Sequence, residues 1–167
     1  MKENLISILF MLPLVANADK LSQAAFDGDL SKVKQLLVTQ KSQISQKDKS
    51  GNDALYYAVT SGYPEIALIL ISNGAVLTNK YTQKKTSILM LASEMGQEEV
   101  VRSVLKLNTK LLDQIDIQGE SALFYSLRAR QSKVYKLLVK SGANIQIKNK
   151  KGQNLKNIAE EEGISVP

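Results

Sequence analysis

Cysteine and histidine are both absent from this chain of 167 residues, as is tryptophan. Without cysteine there is no disulfide framework, and the fold must hold by packing alone. The two absences together also remove the Ser-His-Asp triad, the Cys-His pair, thiol redox chemistry, and zinc sites built on imidazole or thiolate. Aromatic residues make up only 5% of the chain, so Leu, Ile, Val and Ala must supply most of the buried surface. The apolar fraction of 44% is sufficient for one packed domain and argues against disorder. Basic side chains outnumber acidic ones, 22 to 16, a net charge of +6 that favours acidic partners or surfaces. The charge is spread along the chain. No block of five like charges marks a nucleic-acid tail.

The N-terminal segment differs from the rest. Lys2 opens it, Leu5 to Val15 form an apolar run, and Ala16-Asn17-Ala18 follow before polar Asp19 and Lys20. These are the parts of a secretory signal in the expected order. The run is shorter than the roughly 20 residues that a spanning helix requires. Residues 1–18 are therefore expected to be a cleavable signal peptide, with cleavage after Ala18. The expected location is periplasmic, with full secretion as the alternative.

Residues 19–167 repeat. Turn glycines at Gly28, Gly62, Gly96 and Gly163, with Arg130 in the one vacant place, are spaced by 34, 34, 34 and 33 residues. A small residue precedes each by four positions: Ala24, Ala58, Ala92, Ser126 and Ala159. Leu21, Leu55, Leu89 and Leu123 lie three further back, and apolar pairs such as Leu36-Leu37 and Leu70-Ile71 recur downstream. Each period reads as two short amphipathic helices. In the second unit the first runs from Asp53 to Ser61. The second starts at Pro64-Glu65, where Pro fits the first turn and Glu the positive end of the helix dipole. It stops before Asn73-Gly74. Asp48-Lys49-Ser50-Gly51 and Asp116-Ile117-Gln118-Gly119 link successive units.

These spacings resemble ankyrin repeats from Leu21 to about Gly163. Gly51 to Ala75 and Gly119 to Ala143 carry the best matches. The resemblance implies an all-α ankyrin-repeat solenoid of stacked helix-turn-helix units with short hairpin fingers: three full central repeats and two capping ones. The family's Thr-Pro-Leu-His stands here as Asp53-Ala54-Leu55-Tyr56, Ser87-Ile88-Leu89-Met90 and Ser121-Ala122-Leu123-Phe124. Asp53, Ser87 and Ser121 are expected to cap the first helices. Leu155 is expected to fill the place left by Lys156. Polar outer faces suit the terminal units, through Lys34, Gln35 and Lys41 at one end and Glu160-Glu161-Glu162 at the other.

No catalytic, cofactor or metal site is expected. Glu98-Glu99 and Glu160-Glu161-Glu162 lack the convergence of an acid–base pair. Asp48 to Asp53 is oxygen-rich but lacks the spacing and closing Glu of a calcium loop. No phosphate-cradling glycine motif occurs, and the lysines are not interleaved with aromatics as in single-strand binders. The expected activity is recognition of another protein. The resemblance assigns contacts to the fingers at Lys49, Ser50 and Asn52; Gln83, Lys84 and Thr86; Ile117, Gln118 and Glu120; and Lys150 and Lys151 with Gln153. On the first helices it points to Phe26-Asp27, Thr60-Ser61, Glu94-Met95 and Arg128-Ala129, with Tyr56, Met90, Phe124 and Tyr125. Packing between repeats is the alternative role for Tyr56, Met90 and Phe124.

The chain as a whole resembles small exported ankyrin proteins of the self-protection type. That resemblance implies an inhibitor of an envelope enzyme such as a peptidoglycan hydrolase, engaged through an acidic patch. A secreted effector that binds a host protein, or an accessory partner of a periplasmic oxidative-stress enzyme, are the alternatives. The free chain is expected to be a monomer, with no nucleic acid partner and no membrane association after signal cleavage.

Overall fold

A computed structural model describes residues 20–40 and 43–165. The expected signal peptide, the cleavage point and Lys41 lie outside these residues. The chain divides into two compact units, with the boundary along the sequence between Ala75 and Val76.

In the first unit α1 (Lys20–Asp27) and α2 (Leu30–Thr39) form one helical pair, α3 (Ala54–Thr60) and α4 (Pro64–Ser72) the next. Helix α1 packs on α3 and α2 on α4. Leu21, Ala24 and Ala25 of α1 and Leu55, Ala58 and Val59 of α3 are all buried. Alanines at the contact let two short helices approach closely, and the leucines exclude water. The ends of α3 and α4 match the sequence expectation. Asp53 accepts a hydrogen bond from Tyr56 N at 2.9 Å, and Pro64 opens α4. Asn73 closes α4, and its side-chain amide donates to Ile69 O at 2.9 Å.

The second unit opens with a small antiparallel hairpin of β1 (Lys80–Tyr81) and β2 (Thr86–Ser87), in the register Lys80 to Ser87 and Tyr81 to Thr86. Helices α5 (Ile88–Glu94), α7 (Ala122–Arg128) and α9 (Leu155–Glu161) form an inner row, with α7 packed on both α5 and α9. Helices α6 (Glu98–Leu107) and α8 (Ser132–Lys140) pack together as the outer row. A 3₁₀ turn, Thr109–Leu111, follows α6. Leu89, Leu123 and Leu155 are buried, while Lys156 is exposed. Leu155 thus takes the repeat's leucine place, as expected.

The turn within each helical pair uses one hydrogen bond. The carbonyl of the periodic small residue accepts from the N–H five positions on: Ala24 from Asp29, Ala58 from Tyr63, Ala92 from Gln97, Ser126 from Gln131, and Ala159 from Ile164, all at 2.8–3.0 Å. The residue preceding that donor must be left-handed. Gly28, Gly62, Gly96 and Gly163 have φ between 61° and 83°, and Arg130 takes the same conformation at 57°. At Gly28 and Gly96 the glycine has a second cause. A Cβ would collide with the Tyr63 ring at Gly28, and at Gly96 it would displace the flexible end of Gln131.

One expectation about caps is corrected. Ser87 caps α5, accepting from Met90 N at 3.3 Å, but Ser121 makes no side-chain cap bond to α7. The Phe124 N–H is met instead by the Ser121 backbone carbonyl at 3.0 Å. The Ser121 hydroxyl is left buried without a hydrogen-bond partner.

Candidate protein-binding site

The fingers are built on one recurring device. Asp48 Oδ1 accepts from Ser50 N at 2.8 Å and Asn52 N at 3.0 Å. Asp116 Oδ1 accepts from Gln118 N at 2.8 Å and Glu120 N at 2.9 Å. Asn149 Oδ1 accepts from Lys151 N and Gln153 N, both at 3.0 Å. An Asx side chain that takes two backbone donors fixes a tight turn without help from regular structure. The oxygen-rich look of Asp48 to Asp53 has this local cause. The finger at 82–86 is weaker, since Thr82 offers only Oγ1 to Lys84 N at 3.2 Å. There Thr82 and Lys85 both take positive φ, at 61° and 58°. Lys85 stands where the repeat has Gly51, Gly119 and Gly152 in the other fingers.

A tyrosine braces two of these turns from the following helix. Tyr57 donates its hydroxyl to Asp48 Oδ2 at 2.5 Å, and Tyr125 donates to Asp116 Oδ2 at 3.0 Å. Burial is the main reason that both phenols are pushed above their ordinary range, and the hydrogen bond to the aspartate adds to it. Tyr57 also packs edge-on against Phe26 and Tyr56, with ring centroids 5.9 and 5.3 Å apart.

In the second unit the fingers are tied to one another. Ile117 N donates to Lys84 O at 2.9 Å, and Lys150 N to Gln118 O at 2.8 Å. Lys80 Nζ lies 2.5 Å from Gln114 Oε1, linking the arms. Three finger tips are thereby held in a fixed row, so that their side chains can meet a partner together.

Beside this row lies a recess of about 290 Å³, lined by Lys84, Glu94, Gln118, Glu120, Tyr125 and Arg128. Its floor is a charged network. Arg128 Nη2 donates to Glu120 Oε1 at 2.9 Å, and Arg128 Nη1 is paired with Glu162. Asn149 Nδ2 reaches the same Glu120 oxygen at 3.1 Å. Fingers, inner helix and the end of α9 are joined through one guanidinium.

The structure sorts the expected contact residues. Lys49, Ser50, Gln83, Lys84, Met95, Ile117, Gln118, Arg128, Lys150 and Lys151 are exposed, and Tyr56 is half-buried. Ile117 and Met95 are 45% and 43% exposed, a large share for apolar side chains. Six others are buried and are corrected to structural roles: Tyr125, which braces Asp116, and the five that follow. Asn52 closes its finger through the backbone, its carbonyl accepting from Asp48 N at 2.8 Å. Thr86 donates to Tyr81 O at 3.1 Å across the hairpin. Glu120 holds Arg128 and Asn149. Met90 and Phe124 have no exposed surface and fill the core, which is the packing alternative. Sequence reasoning missed Asn149 and Glu162 in the network. The recurrence of Asp48, Asp116 and Asn149 three residues before a finger glycine was the available signal.

Among the described residues, no group of three acidic side chains is placed to hold a metal ion. No helix there is long and apolar enough to cross a membrane.

A family model for ankyrin repeats in three copies matches residues 21–113 and 77–149. A probable 26S proteasome regulatory subunit p28 of Saccharomyces cerevisiae is 29% identical over 136 residues, covering 80% of this chain and 60% of that protein. A putative ankyrin repeat protein of Rickettsia bellii is 32% identical over 107 residues, 61% of each chain. A homolog of transient receptor potential cation channel subfamily A member 1 from Caenorhabditis elegans is 28% identical over 109 residues, 65% of this chain and 9% of that one. In each case the chain spans less than two thirds of the relative's length.

Proposed function

This chain belongs to the ankyrin-repeat family, and on that premise we propose that it is an exported inhibitor of an envelope enzyme, such as a peptidoglycan hydrolase. Ankyrin repeats act as protein-protein interaction modules and are generally not catalysts. The reading rests on the finger row of the second unit. Basic tips at Lys84-Lys85 and Lys150-Lys151 stand on the fingers tied to the one that carries exposed Ile117, beside a recess with an Arg128–Glu120 pair in its floor. Such a surface suits an acidic patch with one apolar contact, where charge steers encounter and the apolar group slows release. The apolar run from Leu5 to Val15 and the Ala16-Asn17-Ala18 site support export.

A secreted effector shares these features and is the second reading. Both are tested by fractionating cells that express the whole chain and sequencing the N-terminus of the product. The expected result is a periplasmic protein that begins at Asp19 and, when used as bait, retains a wall hydrolase from envelope extract. Recovery in the medium instead would favour the effector. A full-length product that stays in the cytoplasm would remove both.

A further inference from the structure

The outer helices of the second unit present a face that neither the fingers nor the recess uses. Lys133, Lys136 and Lys140 stand on one stripe of α8, at i, i+3 and i+7, and all are exposed. Helix α8 has no acidic residue. Lys106 at the end of α6 and Lys110 in the 3₁₀ turn are exposed as well. Among the described residues none of these five lysines has an ion pair. The acids of this region are engaged. Glu98 and Glu99 face Arg102 at 2.5 and 4.0 Å, and Asp113 accepts from Asn144 N at 2.8 Å. Two aliphatic side chains protrude among the lysines, Leu107 at 61% and Val139 at 39% exposure. Between the helices lies a shallow groove of about 350 Å³, with Leu105, Lys106, Thr109 and Leu137 in its walls.

We propose that this face seats the protein on an anionic lipid bilayer. Charge complementarity calls for a negative partner. The finger lysines stand on tips whose backbones are tied in a row, as a shaped protein site requires. The lysines of α8 stand on an open helical surface and keep their flexible reach. Arg102 is held by Glu98 and Tyr135 of α8 is buried, so neither adds a directed contact, and a fluid lipid surface fits better than a protein. Unpaired lysines around protruding aliphatic groups match a headgroup region, where flexible ammonium groups reach phosphates and small apolar groups enter the acyl boundary. Such seating departs from the expectation that the processed chain stays off membranes.

The test is sedimentation of the full chain with phosphatidylcholine vesicles and with vesicles that also contain phosphatidylglycerol. The neutral vesicles measure what the N-terminal apolar run contributes, and the ratio of the two partition coefficients reads this face. The ratio should be well above one at low salt and fall as salt rises. Lys133→Gln/Lys136→Gln/Lys140→Gln should reduce binding to the anionic vesicles on the order of a hundredfold, at about fivefold per lysine near the surface. Gln and Lys have similar helix propensity, so α8 keeps its fold. Lys84→Gln/Lys150→Gln/Lys151→Gln should leave the ratio nearly unchanged. A ratio near one for the wild type, or loss in the finger variant and not in the α8 variant, would overturn the proposal. Soluble polyglutamate that binds the α8 face as tightly as the vesicles do would also overturn it, in favour of an acidic protein.

Discussion

Arg130 holds a backbone conformation that costs an L-amino acid about 1–2 kcal/mol. Its φ of 57° is set by the turn between α7 and α8, which needs the Gln131 N–H on the Ser126 carbonyl at 2.8 Å. The guanidinium offers little in return, with one long contact to Glu162 O at 3.3 Å. Arg130→Gly should therefore raise stability by about 1 kcal/mol, read as a higher urea midpoint with an unchanged slope. A lower midpoint would mean that the side-chain contacts outweigh the strain. The spacing of Gly28, Gly62 and Gly96 made the left-handed place legible, and Arg130 could be assigned to it without a glycine. Lys85 was not legible in the same way, because its finger lacks the Asx that marks the other three.

At the scale of elements, the inner helices carry the stability and the braced fingers fix what is presented. Leu89 of α5 is fully buried, so Leu89→Ala should cost about 2–5 kcal/mol in chemical denaturation. A loss under about 1 kcal/mol would mean that the site collapses around the smaller side chain. The tyrosine braces give a pH signature. Tyr57 and Tyr125 have pKa values raised above 10.0 in the folded state, chiefly by burial. A raised folded value favours the neutral phenol in the native protein. Its contribution is complete below pH 10.0, where the unfolded phenol is neutral too. It is lost as pH rises through the higher folded value. Stability should thus fall above pH 10.0, and the double variant Tyr57→Phe/Tyr125→Phe should fall less steeply there. At neutral pH each Phe should cost about 1.5–3 kcal/mol, because an aspartate loses a charged hydrogen bond. Parallel pH dependence in the two proteins would count against the brace. The helices were readable from periodicity and caps. The braces were not, since each joins residues nine apart across a finger, a distance that no helix or strand period encodes.

For the whole molecule, the question is which exposed side chains decide binding. The sequence placed contacts on the fingers and first helices without separating surface from support, because one repeat position serves both. Met90 and Phe124 share the repeat place of half-buried Tyr56, yet both are fully buried. Ile117 is different, held outward on a finger whose backbone is fixed by Asp116 and by Lys84 O. Charges at a rim act mainly on encounter and are screened by salt, while a desolvated apolar contact acts on release. Lys84→Glu/Lys85→Glu/Lys150→Glu/Lys151→Glu should therefore lower the association rate for the partner on the order of tenfold or more at low salt, with the loss fading at high salt. Ile117→Asp should raise the dissociation rate at any salt, by tenfold or more if it costs about 2 kcal/mol. Surface plasmon resonance on the two variants at low and high salt separates these effects. If both bind like wild type while Arg102→Ala or Lys136→Ala abolishes capture, the partner docks on the outer helices and the finger row is not the site.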